Sequence, residues 1–376
     1  MTRLTTMIAL GGITLGALLW WRGSGPKPAT AGATNNVETA RPKSQARPAS
    51  APKPATELVA GTQRRLRGGL TPAEARATLE ELAARLNALP AAEAATVARE
   101  FLRSGQDAPS GQGFKPRSDG SLQAAPTLRV FLMDALARLD PVAAAELARE
   151  TLREKTSPDE WAIALRNVAR VDRSAEGRAF LEGKVGELLR REAWQINPSE
   201  GYLEAFDVAV HVGGANLVPP LAELLKKQDN QAVAHAAFLA LDRMTIQDAS
   251  TTLGALLAQP ELMAGREPTR ANYFARADVR DAGQREVLER YLLNPALGAA
   301  ELERFAGLYP NANFMISQNL LTRSDTPDKA ALVARDSAAL RVLDGWLADA
   351  RFARARPELA KARERLAMFV QQATGK

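Results

Sequence analysis

Leu217–Leu241 reads LVPPLAELLKKQDNQAVAHAAFLAL. Its first half sets Leu217, Leu221, Leu224 and Leu225 at helical spacing. Gln228, Asp229 and Asn230 then interrupt the apolar run with turn-forming side chains. The second half resumes the spacing with Val233, Ala237, Ala240 and Leu241. Two short amphipathic helices joined by a tight turn are therefore expected here. Neither buries its apolar stripe unless other helices stack on it.

The same rhythm extends in both directions. Thr71-Pro72-Ala73-Glu74 offers an N-cap, a first-turn proline and a capping-box glutamate. Behind it the stripe Ala75, Leu79, Leu82, Leu86 and Leu89 keeps the 3–4 spacing. Ser157-Pro158-Asp159-Glu160 repeats that start before Trp161, Leu165 and Val168. Asp140-Pro141 closes one expected helix, Leu128–Leu139, and opens the next, Val142–Glu154. No segment alternates with period 2, β-branched residues are sparse, and 72 of the 376 residues are alanine, the strongest helix former. The expected fold is all-α over residues 57–376.

The Leu217–Leu241 unit resembles a HEAT repeat, which pairs a leucine-rich helix with a Val/Ala/Leu helix across an Asp/Asn turn. Ala234 stands where such repeats often carry arginine. Residues 128–154 and 158–192 match in length and less well in letters. The resemblance implies an irregular α-solenoid, and the run of short helix pairs suggests the same without it.

The chain carries a net charge of +6, unevenly placed. Residues 1–56 hold seven basic side chains against Glu38 alone, so the remainder carries 42 of each sign. The basic balance therefore gives no reason to expect nucleic acid as a partner. Leu4 to Trp21 is an uncharged run of 18 residues between Arg3 and Arg22, with Trp20 and Trp21 at its end. As a helix it would extend about 27 Å, close to the thickness of a hydrocarbon core. A cleaved signal peptide is the competing reading, but the small residues it needs at the cleavage site, Ala29, Ala31 and Ala33, lie too far along. The expectation is a single-pass anchor over 1–21 in a bacterial inner membrane, with the body in the periplasm. Gly12 and Gly16 form a GxxxG pair that would permit weak homodimerisation of the anchor. Residues 22–56 hold prolines 26, 28, 42, 48, 52 and 54 among Ala, Lys and Ser, the composition of a disordered linker.

Signatures of chemistry are scarce. With no cysteine there is no disulfide, thiolate metal site or catalytic thiol. His211 and His235 are the only histidines, with no HExxH or paired-carboxylate setting. Each lies in an apolar helical stretch, as expected of a core or groove-lining histidine. Gly177 to Lys184 departs from a phosphate loop in spacing and in Glu182 and Val185, and no nucleophile elbow or dinucleotide fingerprint occurs.

Two interruptions stand out. Ser104–Ala125 is expected as a loop, either a mobile binding segment or a disordered insertion. Tyr309, Asn311 and Asn313 set amides beside aromatics, able to grip a peptide or to close a turn. Taken together, these features lead to the expectation of a non-enzymatic scaffold or adaptor that needs no cofactor and binds protein or cell-envelope partners. His211, His235, Tyr309, Asn311 and Asn313 are its candidate interaction residues. The alternative is a cell-envelope hydrolase, or an enzyme accessory subunit, with an unrecognised carboxylate site.

Overall fold

The computed structural model describes residues 55–154, 157–313, 319–323 and 327–374, all within one compact unit. The expected anchor, with Leu4, Gly12, Gly16, Trp20 and Trp21, and nearly all of the expected linker lie outside the described residues. No helix among the described residues is long and apolar enough to cross a membrane.

The described residues are overwhelmingly helical. Three helices come first: α1 (Ala55–Arg67), α2 (Pro72–Asn87) and α3 (Ala91–Arg103). A small hairpin of β1 (Lys115–Pro116) and β2 (Leu122–Ala124) follows. Next come α4 (Leu128–Leu139), α5 (Pro141–Thr151), α6 (Pro158–Val171) and α7 (Ala175–Leu189). Three short helices, α8 (Glu192–Ile196), α9 (Glu200–Glu204) and α10 (Phe206–Val212), lead to α11 (Val218–Leu225) and α12 (Gln231–Gln247). The remainder is α13 (Ala249–Ala258), α14 (Glu267–Phe274), α15 (Ala282–Leu293), α16 (Ala299–Leu308), α17 (Lys329–Ala348) and α18 (Arg356–Thr374).

The expected start signals act as such. Thr71 Oγ1 accepts from Glu74 N while Glu74 Oε2 accepts from Thr71 N at 2.9 Å, a complete capping box. Asp140 ends α4 and accepts from Ala143 N at 3.0 Å to open α5. Ser157 caps α6 and Asn230 caps α12 in the same manner. Between α11 and α12 the apolar faces meet as the spacing requires, with Leu221, Leu224, Val233, Ala237 and Leu241 all buried. The many packed helix pairs are compatible with a helical repeat fold.

A recurring device links these layers. Arg129 of α4 pairs with Glu160 of α6 at 3.0 Å, and Arg166 of α6 with Asp134 of α4 at 2.6 Å. Arg243 of α12 meets Asp207 of α10 at 2.9 Å, and Arg276 of α14 meets Asp242 of α12 at 2.7 Å. Arg270 of α14 then grips Glu301 of α16 with two hydrogen bonds, of 2.7 and 2.6 Å. Each pair is largely buried and joins helices in contact. Bidentate guanidinium–carboxylate geometry fixes the mutual orientation of two helices more tightly than apolar contact does.

The expected loop at 104–125 needs correction. It is a folded insertion, with Lys115 opposite Ala124 and Pro116 opposite Leu122. A bridge from Pro109 to Thr127 closes its base. Phe114 is buried and Ser110 Oγ donates to Ala125 O at 2.5 Å. The insertion takes its stability from neighbouring helices, since Glu200 accepts from Phe114 N at 2.6 Å.

Candidate functional site

A cleft of about 580 Å³ opens where the hairpin turn, the end of α6, the start of α7, the end of α10 and segment 319–323 come together. Buried polar contacts hold the hairpin turn that lines it. Arg166, fully buried on α6, donates to Gly120 O at 2.8 Å and to Asp134. Its Nε and second terminal nitrogen reach Asn167 Oδ1, and Asn167 in turn donates to Met133 O. The hairpin turn is thereby clamped onto α4 and α6. One helical turn on, Arg170 donates to Asp119 O at 2.6 Å and to Leu320 O at 3.4 Å. The hairpin and segment 319–323, far apart in sequence, thus share one guanidinium.

Asp207 holds the other side of that segment. Its carboxylate accepts from Leu321 N at 2.7 Å, from Thr322 N at 2.9 Å and from the Thr322 hydroxyl. Arg243 donates to the same hydroxyl and pairs with Asp207. With four donors on one buried carboxylate, the backbone at 321–322 is firmly placed. His211 lies one turn after Asp207 on α10 and is exposed at the cleft mouth.

The wall is basic. Arg170, Arg173, Arg178 and Arg323 line it, against Asp119 and Asp172. Both carboxylates are occupied within the fold. Asp119 accepts from the Ser121 hydroxyl and amide, and these bonds hold its carboxyl below the usual range. Asp172 accepts from the Ser174 hydroxyl and amide and from Arg149, and the Ser174 bonds likewise keep it low. Arg173, Arg178 and Arg323 make no ion pair with any described residue. Burial lowers the His211 imidazole; Asp207 opposes this, and Arg178 and Arg173 add to it. The uncharged form of His211 is thereby favoured.

Other candidate residues lie elsewhere. His235 is exposed on α12 and stacks on Phe238, with ring centroids 6.3 Å apart. It is remote in sequence from the cleft and does not line it. Tyr309 and Asn311, expected among the interaction residues, are both buried. The Tyr309 ring packs between Phe305 and Trp346. Asn311 N donates to Ala275 O at 2.7 Å and its side chain donates to Asn272 Oδ1 at 3.0 Å. Asn313 is exposed, but its amide N–H serves Asn311 and its carbonyl serves Arg276. This amide group closes a turn onto α14, the ordinary use of asparagine.

Sequence reasoning brought His211 forward and missed the arginines around it. With 38 arginines in the chain, none is conspicuous by type. The pairing of Asp207 with Thr322 spans 115 residues and has no local signature. Among the described residues no group of three or more His, Asp or Glu is arranged to hold a metal ion. Compared with known protein families, curated proteins and solved structures, the chain matches none.

Proposed function

We propose that this chain is a tethered, non-catalytic binding protein. In this reading the helical body is an irregular HEAT-like solenoid that receives its partner at the arginine-lined cleft. Leu4–Trp21 would fix it to a bacterial inner membrane, and residues 22–56 would let it range from the surface within the periplasm. The observation that carries the reading is the division of labour in the cleft wall. The acidic groups there are consumed by internal bonds, whereas three arginines face solvent without an ionic partner. Carboxylates kept ionised by such bonds are poor proton shuttles near neutral pH. Free guanidinium groups suit holding an anionic group.

The test is crosslinking in native membranes followed by mapping of the joined peptides. Crosslinks at Arg173, Arg178 and 319–323, lost on R173E/R178E, are expected. Crosslinks that spare the cleft and persist in that variant would overturn the reading. Deleting 1–21 should release the body from the membrane fraction; retention of the truncated chain would refute the anchor.

One observation favours the second reading, an envelope hydrolase. His211, whose uncharged form is favoured, lines the cleft together with Ser118 and has the makings of a general base. Turnover of a phosphate or acyl ester by the purified chain, abolished by H211A, would establish it.

A further inference from the structure

The composition of the cleft wall points to a particular ligand chemistry. Arg170, Arg173, Arg178 and Arg323 bring four positive charges, and Asp119 and Asp172 return two negative ones. Because Asp172 is already paired with Arg149, the lining is left with an excess of at least two positive charges. A guanidinium presents parallel N–H donors that match phosphate and carboxylate oxygens. A simple carboxylate would neutralise half of the excess. A phosphate monoester carries about −1.5 to −2 at neutral pH and would neutralise nearly all of it.

Size supports the same class. The cleft, at about 580 Å³, falls within the range of roughly 300–1,000 Å³ that suits small organic ligands and exceeds what a bare oxyanion fills. Leu181, Val212 and Leu321 supply apolar wall, and Asn319 lies beside them. We therefore propose that the cleft binds a small organic phosphate monoester, its phosphoryl group held by Arg173, Arg178 and Arg323 with His211 beside it.

The setting favours such a role. Asp207 fixes the backbone next to Arg323, and Arg170 fixes the hairpin turn against Leu320, so both flanks of the site are built before any ligand arrives. Fixing the backbone in advance lowers the ordering cost of binding, which is then confined to the arginine side chains themselves. Ligand oxygens spanning Arg323 and Arg178 would tie segment 319–323 to the first turn of α7. Bound ligand should therefore raise the thermal midpoint of the folded body.

This assignment rests on the cleft being the body's binding site, and its test separates the two. The full chain, purified in detergent, is titrated by calorimetry with glucose 6-phosphate, inorganic phosphate, glucose and citrate. It is also mixed with neutral vesicles and with vesicles containing phosphatidic acid, a phosphomonoester lipid. Glucose 6-phosphate should bind and raise the thermal midpoint, glucose should do neither, and binding should weaken as salt rises. Each of R173Q, R178Q and R323Q, exposed positions that leave the fold intact, should weaken binding about tenfold, as expected for one charge-assisted contact. Capture by phosphatidic acid vesicles alone, lost in the same variants, would keep the phosphomonoester chemistry and identify a lipid headgroup as its source. Binding of citrate without the phosphates, or unchanged binding in all three variants, would overturn the assignment. If no probe binds while partner crosslinks still map to the cleft, the phosphate assignment fails and the binding reading survives. If the phosphates bind and the crosslinks lie elsewhere, the binding reading fails and the phosphate site survives as an independent feature.

Discussion

Gly120 adopts φ +74°, a region that side-chain-bearing residues rarely enter. A Cβ there would also run into Leu320 O and the Arg170 guanidinium. Both effects act together, so Gly120→Ala should destabilise the body by about 2–4 kcal/mol. Denaturant titration of the variant checks this, and a change below about 1 kcal/mol would mean that the turn relaxes away from segment 319–323. Asp134 is the second informative residue, since it compensates the buried Arg166 and also receives Arg138. Asp134→Asn would leave a guanidinium in the interior without its counter-charge, a loss of about 3–5 kcal/mol. An equilibrium unfolding curve shifted by less than 1 kcal/mol would show that Gly120 O and Asn167 suffice to hold that charge.

At the scale of elements, α9 ends on a pH-sensitive carboxyl. Burial pushes Glu204 up to about 7, with Asp207 and Glu200 adding to the shift and Arg243 opposing it. The folded chain therefore holds a proton that the unfolded chain, with an ordinary glutamate near 4.5, gives up. Stability associated with that proton is complete below pH 4.5 and is lost as pH rises towards 7. Glu204→Gln should be more stable than the parent at pH 8, by on the order of 1 kcal/mol for this half-buried group, and indistinguishable from it at about pH 4. Thermal melts at both values test the sign; a variant less stable than the parent at pH 8 would refute it. The helices themselves were largely legible in the sequence, because Thr71, Asp140, Ser157 and Asn230 announce their helices within four residues. The hairpin was not legible. Its strands are two and three residues long, and what orders it arrives from Arg166, Arg170 and Glu200, 46 to 86 residues away. The cleft was opaque for the same reason: only His211 was conspicuous by rarity, while its arginine neighbours were hidden among many.

Across the whole molecule, the even split of 42 basic and 42 acidic residues beyond position 56 has a structural counterpart. Successive layers are joined by guanidinium–carboxylate pairs largely withdrawn from water. Salt screens buried pairs far less than exposed ones. Raising NaCl from about 0.05 to about 0.5 M should therefore move the thermal midpoint by less than about 3 °C. A larger fall would mean that exposed pairs such as Arg65–Glu81 and Arg103–Glu150 carry the stability instead.

The bond from Arg170 to Leu320 spans 150 residues. A ribosome adding roughly 5–20 residues per second needs about 8–30 s to supply the second partner after the first has appeared. Throughout that interval Arg170, and Asp207 once it has been added, stand without the backbone they eventually hold. The cleft is thus completed only once residues 319–323 have been made. A chain stalled or clipped ahead of residue 319 would carry α1 to α16 and lack one wall of the proposed site, so ligand occupancy there would report that residues 319–323 are in place.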